Sequence, residues 1–273
     1  MTSNFCSGQV TLVGAGPGDP ELLTIKAMRA IQAATVLLVD DLVNPAIVEF
    51  ASPAARIVHV GKRGGCKSTP QSFIEKLMVS AAIEGENVVR LKGGDPLIFG
   101  RGGEEVESLQ SAGVRVSVIN GITAGLAALS SLNVALTHRE HAHGVVFVTG
   151  HAKPGDSGTN WRALAHTARQ AKLTLVIYMG VSGAGRIEAE LLHGLNADTP
   201  VAIIQNASLP SQRHFVCTLD ALEQTIGAQA IASPSVIVVG DVVGGLLALQ
   251  SHDEMFNHPR TAELQQFLSA LRD

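Results

Sequence analysis

Short β-branched runs alternate with helical periods from Val10 onward, and this alternation limits the chain to few architectures. "VTLV" (10–13), "TVLLVD" (35–40), "RIVHV" (56–60), "NVVRL" (87–91) and "VRVSVI" (114–119) read as buried strands. Helical segments lie between them. In "DPELLTIKAMRAIQAA" Asp19 can cap, Pro20 suits the first turn, and Leu22, Ile25, Met28 and Ile31 form one apolar face. A second helix is expected from Thr69-Pro70 to Gly85. Such alternation predicts an α/β fold: a parallel or mostly parallel sheet with helices on both faces.

The rhythm breaks at "LNVALTHREHAHG" (132–144) and resumes with "VVFVTG" (145–150), "LTLVIYMG" (173–180), "PVAIIQNAS" (200–208), "QRHFVCTL" (212–219) and "PSVIVVG" (234–240). Only a short turn around Leu209-Pro210 separates two of these runs, so antiparallel pairing is expected there. At 273 residues the chain is long enough for two lobes. The expected organisation is an N-terminal α/β lobe over 1–137, a linker over 138–144, a C-terminal α/β lobe over 145–245 and a helical tail over 246–273.

Net charge −4 and a pI near 6.2 argue against a general nucleic-acid binder. No apolar run reaches the roughly 18 residues of a membrane span, and "MTSNFCSGQV" lacks the features of a secretory signal. Cys6, Cys66 and Cys217 are odd in number and unpaired in spacing, which indicates neither a disulfide frame nor a metal site. A cytoplasmic protein is expected.

Two glycine-rich turns carry the chemical information. "VTLVGAGPGDP" resembles a dinucleotide turn, with Asp40 at the distance of a ribose partner. Asp19, however, stands where a pyrophosphate would sit, and a carboxylate repels phosphate, so NAD is disfavoured. A tight strand-to-helix turn explains the same glycines. In "RLKGGDPLIFGRGGEE" (90–105) the strand ends at Leu91, and Gly93-Gly94-Asp95-Pro96 turns outside its carboxyl end, where open α/β sheets hold ligands. Gly93 and Gly94 would let a bulky ligand touch backbone groups. Asp95 would serve a cationic group or cap the next turn, and Arg101 and Glu104 would meet three residues apart.

With "LVGAGPGDPELLTIKA", "VGKRGG", "VVRLKGGDPLIFGRGGEE", "NGITAG", "LTHRE", "VTGH", "LVIYMG" and "PVAIIQNAS...QR" in this order over about residues 10–243, the chain resembles the tetrapyrrole methylase family. Within it, the full KGGDP-to-GGEE run with LTHR and YMG is similar to the uroporphyrinogen-III C-methyltransferase subgroup. Three stretches depart from the family pattern: Asn120 replaces a proline before "GIT", Asp41 an arginine after Asp40, and 138–144 reads His-Arg-Glu-His-Ala-His-Gly.

The resemblance implies two α/β lobes holding S-adenosylmethionine, released as S-adenosylhomocysteine. The cofactor would touch Pro17, Gly93, Gly94, Asp95, Ile98, Thr123, Ala124, Met179 and Ala207. The reaction would methylate uroporphyrinogen III at C2 and C7, giving precorrin-2 for cobalamin, siroheme or haem d1. Arg101, Glu104 and Asp40 would serve catalysis. Asp40, Lys62, Arg101, Arg139 and Met179 would contact the substrate, a small-molecule tetrapyrrole; a homodimer is implied, with no nucleic acid or membrane partner. From the residues alone, Asp40 serves equally as a strand-end cap, Met179 as core, and His151 as a hydrogen-bonded loop residue. Segment 56–101 holds Arg56, Lys62, Arg63, Lys67, Lys76, Arg90, Lys92 and Arg101 against four acids, an expected basic site for the substrate's carboxylates. Competing readings are methylation of a later corrin precursor, an NAD-dependent dehydrogenase and a non-catalytic tetrapyrrole carrier.

Overall fold

The computed structural model describes residues 8–61, 69–152, 155 and 157–246. The chain divides into two compact units, Met1–Ala127 with Ala207–Ser211, and Ala128–Asn206 with Gln212–Asp273. The mixed α/β character expected from the alternation is present in both.

The first unit runs β1 (Gln9–Gly14), α1 (Ile25–Ala33), β2 (Val36–Val39), α2 (Pro45–Val48), β3 (Arg56–His59), α3 (Gln71–Ile83), β4 (Asn87–Lys92), α4 (Gly102–Ser111) and β5 (Arg115–Ile119). Its strands form one sheet in the order β3-β2-β4-β1-β5, parallel throughout. Alternate residues of a strand face opposite sides. Val36, Leu38, Val88, Val10 and Leu12 therefore pack under Ile74 and Met78 of α3 and Leu109 of α4. Leu37, Val39, Val89, Leu91 and Val13 pack on the other face against Ala27 and Ile31 of α1 and Ile47 of α2. Each fully buried aliphatic side chain contributes about 1.5–3 kcal/mol, so these two layers make β4 and β1 a rigid platform.

The helix expected from Asp19 is split. Asp19 accepts the Glu21 N–H at 2.9 Å and caps only one 3-10 turn, Pro20–Leu22. α1 itself starts at Ile25, where Thr24 Oγ1 accepts the Ala27 N–H at 3.1 Å. Two capping residues thus open two separate turns. Ile25, expected in the core, is exposed, while Ala27 and Ile31 are buried.

α5 (Ala124–Ser130) carries the chain into the second unit: β6 (Gly144–Thr149), α6 (Trp161–Ala171), β7 (Leu173–Tyr178), α7 (Ala184–Leu191), β8 (Pro200–Gln205), β9 (Arg213–Thr218), α8 (Leu222–Ala228) and β10 (Ser235–Val239). The sheet order is β6-β7-β10-β8-β9. β6 and β7 are parallel and β8 and β9 antiparallel, as their short connection predicts. β10 lies antiparallel to both β7 and β8, so this sheet is not mostly parallel. One reversal explains it. The chain turns back between β8 and β9, and the crossover through α8 gives β10 the direction of β9. Leu175, Ile177, Val201, Ile203 and Ile237 pack against Trp161, Ile187 and Leu191.

Residues 138–144 are built into the second unit rather than spanning freely. His138 and Ala142 exchange N–H···O bonds of 2.8 and 3.0 Å, and His143 N donates to Lys172 O at 2.8 Å. Thr174 Oγ1 donates to Leu136 O at 2.9 Å, and Lys172 Nζ to Glu140 O at 3.0 Å. The division between units accordingly falls within α5, ahead of residue 137. The expected tail helix lies outside the described residues. No helix among the described residues is long and apolar enough to cross a membrane.

Candidate active site

β1 and β4 are neighbours, yet the chain leaves β1 for β2 on one side and β4 for β5 on the other. Successor elements diverging from adjacent parallel strands open a crevice at the strands' carboxyl ends. Both glycine turns lie there. A Cβ on Gly14 would collide with the backbone of Gly121 and with Gly94 O, and one on Gly121 with Gly94 O and Gly14. The glycines at 14 and 121 let those two loop backbones reach each other and the Gly94 carbonyl. Gly94 is left-handed (φ 67°) and its N–H and C=O pair with Gly16 at 2.7 and 3.2 Å. The Gly94 N–H is therefore committed inside the fold, while its carbonyl keeps a second acceptor position. A Cβ on Gly94 would stand 3.8 Å from Thr123 Cα and 3.9 Å from Ala124 N, filling a space that glycine leaves open beside them.

Asp95 is buried, and its carboxylate accepts the Leu97 N–H at 2.8 Å, Asn120 Nδ2 at 3.0 Å and Gly121 N at 3.2 Å. The cap reading applies: the acid locks the β4 loop to the β5 loop. Hydrogen bonds to a charged group contribute about 1.5–3 kcal/mol each. Asp95→Ala is expected to lower stability by at least about 2 kcal/mol and to weaken S-adenosylhomocysteine binding, read by thermal melts and calorimetry. An unchanged melting temperature would contradict the lock.

The segment Ala207–Ser211 belongs to the first unit and meets the first turn: Asp19 N donates to Ser208 Oγ at 3.1 Å, and a Cβ on Gly18 would strike Leu209 Cδ2. Pro17, Gly93, Gly94, Asp95, Ile98, Thr123, Ala124 and Ala207 thus all fall in one unit. Met179 lies in the second, exposed at the end of β7 with φ 54°, and its carbonyl lies where a Cβ on Gly150 would touch it. His151 is exposed, and its N–H donates to Thr149 Oγ1 at 3.1 Å.

Period-two alternation places Asp40 after Val36 and Leu38, and Arg90 and Lys92 after Val88, all on the α3–α4 face. There Glu105 of α4 is fully buried. Its Oε1 accepts from Gln71 Nε2 (3.0 Å), Lys92 Nζ (3.1 Å) and Arg90 Nε (3.3 Å), while Oε2 has no partner among the described residues. Arg90 also reaches Asp40 Oδ2 at 3.4 Å. Burial and the adjacent Arg90 charge pull the Lys92 ammonium below its ordinary range, against the pull of Glu105 and Asp40. Arg90 and Lys92 are thus internal charges and leave the expected carboxylate-binding set. The signal was available in the sequence: a central parallel strand is covered on both faces, so alternate cations there need a buried acid.

Asp40 is about one-third exposed, and its Oδ1 accepts the Asp41 N–H at 3.0 Å. Arg101 is exposed and left-handed (φ 58°), with Nε 3.2 Å from both oxygens of Glu104. That hydrogen bond holds the guanidinium proton even more firmly than usual, which excludes Arg101 as a base. Leu42, Leu97, Ile98 and Phe99 are exposed apolar residues around the same loop. Lys62, Arg63, Lys67, Cys6 and Cys66 lie outside the described residues. Cys217 is buried, and burial raises its thiol pKa.

Arg139 is exposed in the second unit, between His138 and the Glu140–His141 pair. The His138, Glu140 and His141 ligand atoms lie within 4.8 Å of one another. All three are exposed, the two rings stack at 4.6 Å, and His138 Nδ1 already accepts the Glu140 N–H, so the trio forms a surface turn. A cavity of about 520 Å³ beside it is lined by Thr137, His138, His141, Pro200 and Asp241, all of the second unit.

A parallel sheet with glycine loops at its switch point, joined to a mixed-sheet unit, defines a two-unit α/β class. Residues 9–223 match the family described as Tetrapyrrole (Corrin/Porphyrin) Methylases, and the chain belongs to that family. It is 51% identical over 243 residues to the uroporphyrinogen-III C-methyltransferase of Pseudomonas aeruginosa, covering 89% of this chain and 97% of that one. It is 45% identical to the siroheme synthase of Nitrosomonas europaea over 89% of this chain and 50% of that one. Among solved structures, the uroporphyrin-III C-methyl transferase of Thermus thermophilus complexed with S-adenyl homocysteine aligns with TM-score 0.74 and 39% identity, over 86% of this chain and 99% of that one.

Proposed function

We propose that this chain is an S-adenosylmethionine-dependent C-methyltransferase that converts uroporphyrinogen III to precorrin-2 by methylation at C2 and C7. The observation that carries the reading is the meeting of the β1, β4 and β5 loops at the sheet's switch point, in a chain 39% identical to a transferase complexed with the demethylated donor. The residues there fit such a donor. The space beside Gly94, Thr123 and Ala124 is open, and Asp95 is turned inward onto peptide N–H groups. NAD fits poorly, because the helix after the first glycine turn, α1, starts only at Ile25, where Thr24 caps the Ala27 N–H.

When bound, the donor would supply a methyl group on sulfonium sulfur: the C–S electron pair stays with sulfur, the electron-rich pyrrole carbon gains the methyl, and the ring then loses one proton to solvent. The chain's residues align and stabilise. Leu42, Leu97, Ile98 and Phe99 offer apolar surface to the macrocycle. Arg101, oriented by Glu104, holds a substrate carboxylate, with Lys62 and Arg139 countering others and Met179 contacting the ring. Asp40 faces pyrrole N–H groups. The protein carries net charge −4 against an eight-carboxylate substrate, so binding relies on these local cations. The active species is a cytoplasmic homodimer.

Purified protein incubated with S-adenosylmethionine and uroporphyrinogen III is expected to yield a product heavier by two CH2 units, since each methyl gained is matched by one proton lost, with two S-adenosylhomocysteine formed per product. Binding of the tetrapyrrole without methylated product would instead identify a carrier, and methylation confined to a later corrin precursor would identify a different member of the family.

A further inference from the structure

The reading of Asp40 as a substrate-facing carboxylate leaves open what fixes it, and the interior beneath it supplies an answer. We propose that Arg90 is a positioning residue for the methyl transfer: from inside the first unit it holds the Asp40 carboxylate in the orientation that meets the substrate.

Arg90 is 2% exposed and Asp40 about one-third exposed, so the pair spans from the interior to the strand end. The guanidinium is anchored on three sides before it reaches Asp40. Nε meets Glu105 Oε1 at 3.3 Å, and Nη1 lies 3.4 Å from the carbonyls of Leu38 and Leu91. Nη2 then meets Asp40 Oδ2 at 3.4 Å, while Oδ1 takes the Asp41 N–H. The Asp40 N–H is itself tied to Leu91 O at 3.0 Å. One carboxylate oxygen and the backbone N–H are therefore fixed from β4, and the other oxygen by the next residue, Asp41. The contacts are long for hydrogen bonds, so orientation comes from a fixed charge more than from short bonds. Arginine suits this, since it stays charged when buried. Lys92 does not, because burial already weakens its hold on a proton. Only the planar fork can touch Glu105 and Asp40 together.

This inference rests on the proposed placement of Asp40, and a double-mutant cycle separates the two. D40N, R90K and D40N/R90K are compared with the unchanged protein for kcat, KM for uroporphyrinogen III, S-adenosylhomocysteine affinity and melting temperature. D40N is expected to lower kcat strongly. R90K is expected to lower kcat about tenfold with donor affinity within about twofold, yet to slow the D40N background by less than about twofold. Equal slowing by R90K in both backgrounds would overturn the positioning role while leaving Asp40 in the site. A D40N protein as fast as the original would overturn the placement of Asp40 and the role of Arg90 with it. If R90K does not fold, R90Q in the same cycle reads the same coupling.

Discussion

Glu105→Ala is expected to remove about 3–5 kcal/mol of stability at neutral pH, the cost of leaving buried charges without their partner. Arg90 and Lys92 both meet a single Glu105 oxygen, and all three side chains are almost wholly buried. With the acid gone, two cations face each other under α3 and α4, and only Asp40 remains nearby. Arg90 cannot neutralise itself, but Lys92 can. Its ammonium is already below the ordinary range because of burial and the Arg90 charge, and Glu105 is the leading opposing influence. Removing Glu105 lowers the folded Lys92 pKa further, while the unfolded value stays near about 10.4. Between those two values the unfolded chain binds more protons, so stability rises with pH across that window. The deficit of Glu105→Ala should therefore shrink as pH climbs from the variant's Lys92 pKa to the original protein's own lowered one, both below about 10.4. Urea melts near pH 7 and near pH 9.5 check both parts; a variant within about 1 kcal/mol of the original at pH 7 would show that Glu105 is not the counter-charge.

That network marks the limit of what the sequence disclosed. The ten strands among the described residues fall where β-branched runs predict them, although β3, expected to be buried, is an exposed edge strand. The glycine turns were legible too: clustered glycine demands close approach, and Gly14, Gly94 and Gly121 supply it to one another. The pairing of Gly94 with Gly16 was not legible, since that partner lies nearly eighty residues away and no local pattern names it. Local capping strength was misjudged too, as Thr24 starts α1 although Asp19 and Pro20 look like the better opening. In the second unit the direction of β10 depends on one reversal between β8 and β9, whose consequence appears only once the sheet order is known. Arg90 and Lys92 read as part of the substrate's basic site because their neutralising acid sits on the following helix, where Glu104 and Glu105 look alike. Only helical phase separates them: Glu104 faces out to Arg101, and Glu105 faces the sheet.

Arg101→Ala is expected to cut turnover about a hundredfold, the scale of loss when a positioned substrate is misplaced by about an ångström. The same change should leave S-adenosylhomocysteine affinity and melting temperature nearly unaltered. The pair with Glu104 is half-exposed on both sides, and surface pairs of this kind contribute about 0–1 kcal/mol. Backbone and side chain can be told apart here, because Arg101 sits at φ 58°, where alanine is strained and glycine is not. Arg101→Gly relaxes the turn and removes the guanidinium; Arg101→Ala keeps the strain and removes it as well. If the guanidinium grips a substrate carboxylate, both variants lose turnover alike, and Arg101→Lys, with a charge but no fork, recovers part of it. If the left-handed turn were the functional element, Arg101→Gly would retain most of the rate. A fall in S-adenosylhomocysteine affinity as large as the fall in rate would place Arg101 on the donor instead of the tetrapyrrole, and would remove the carboxylate clamp from the mechanism.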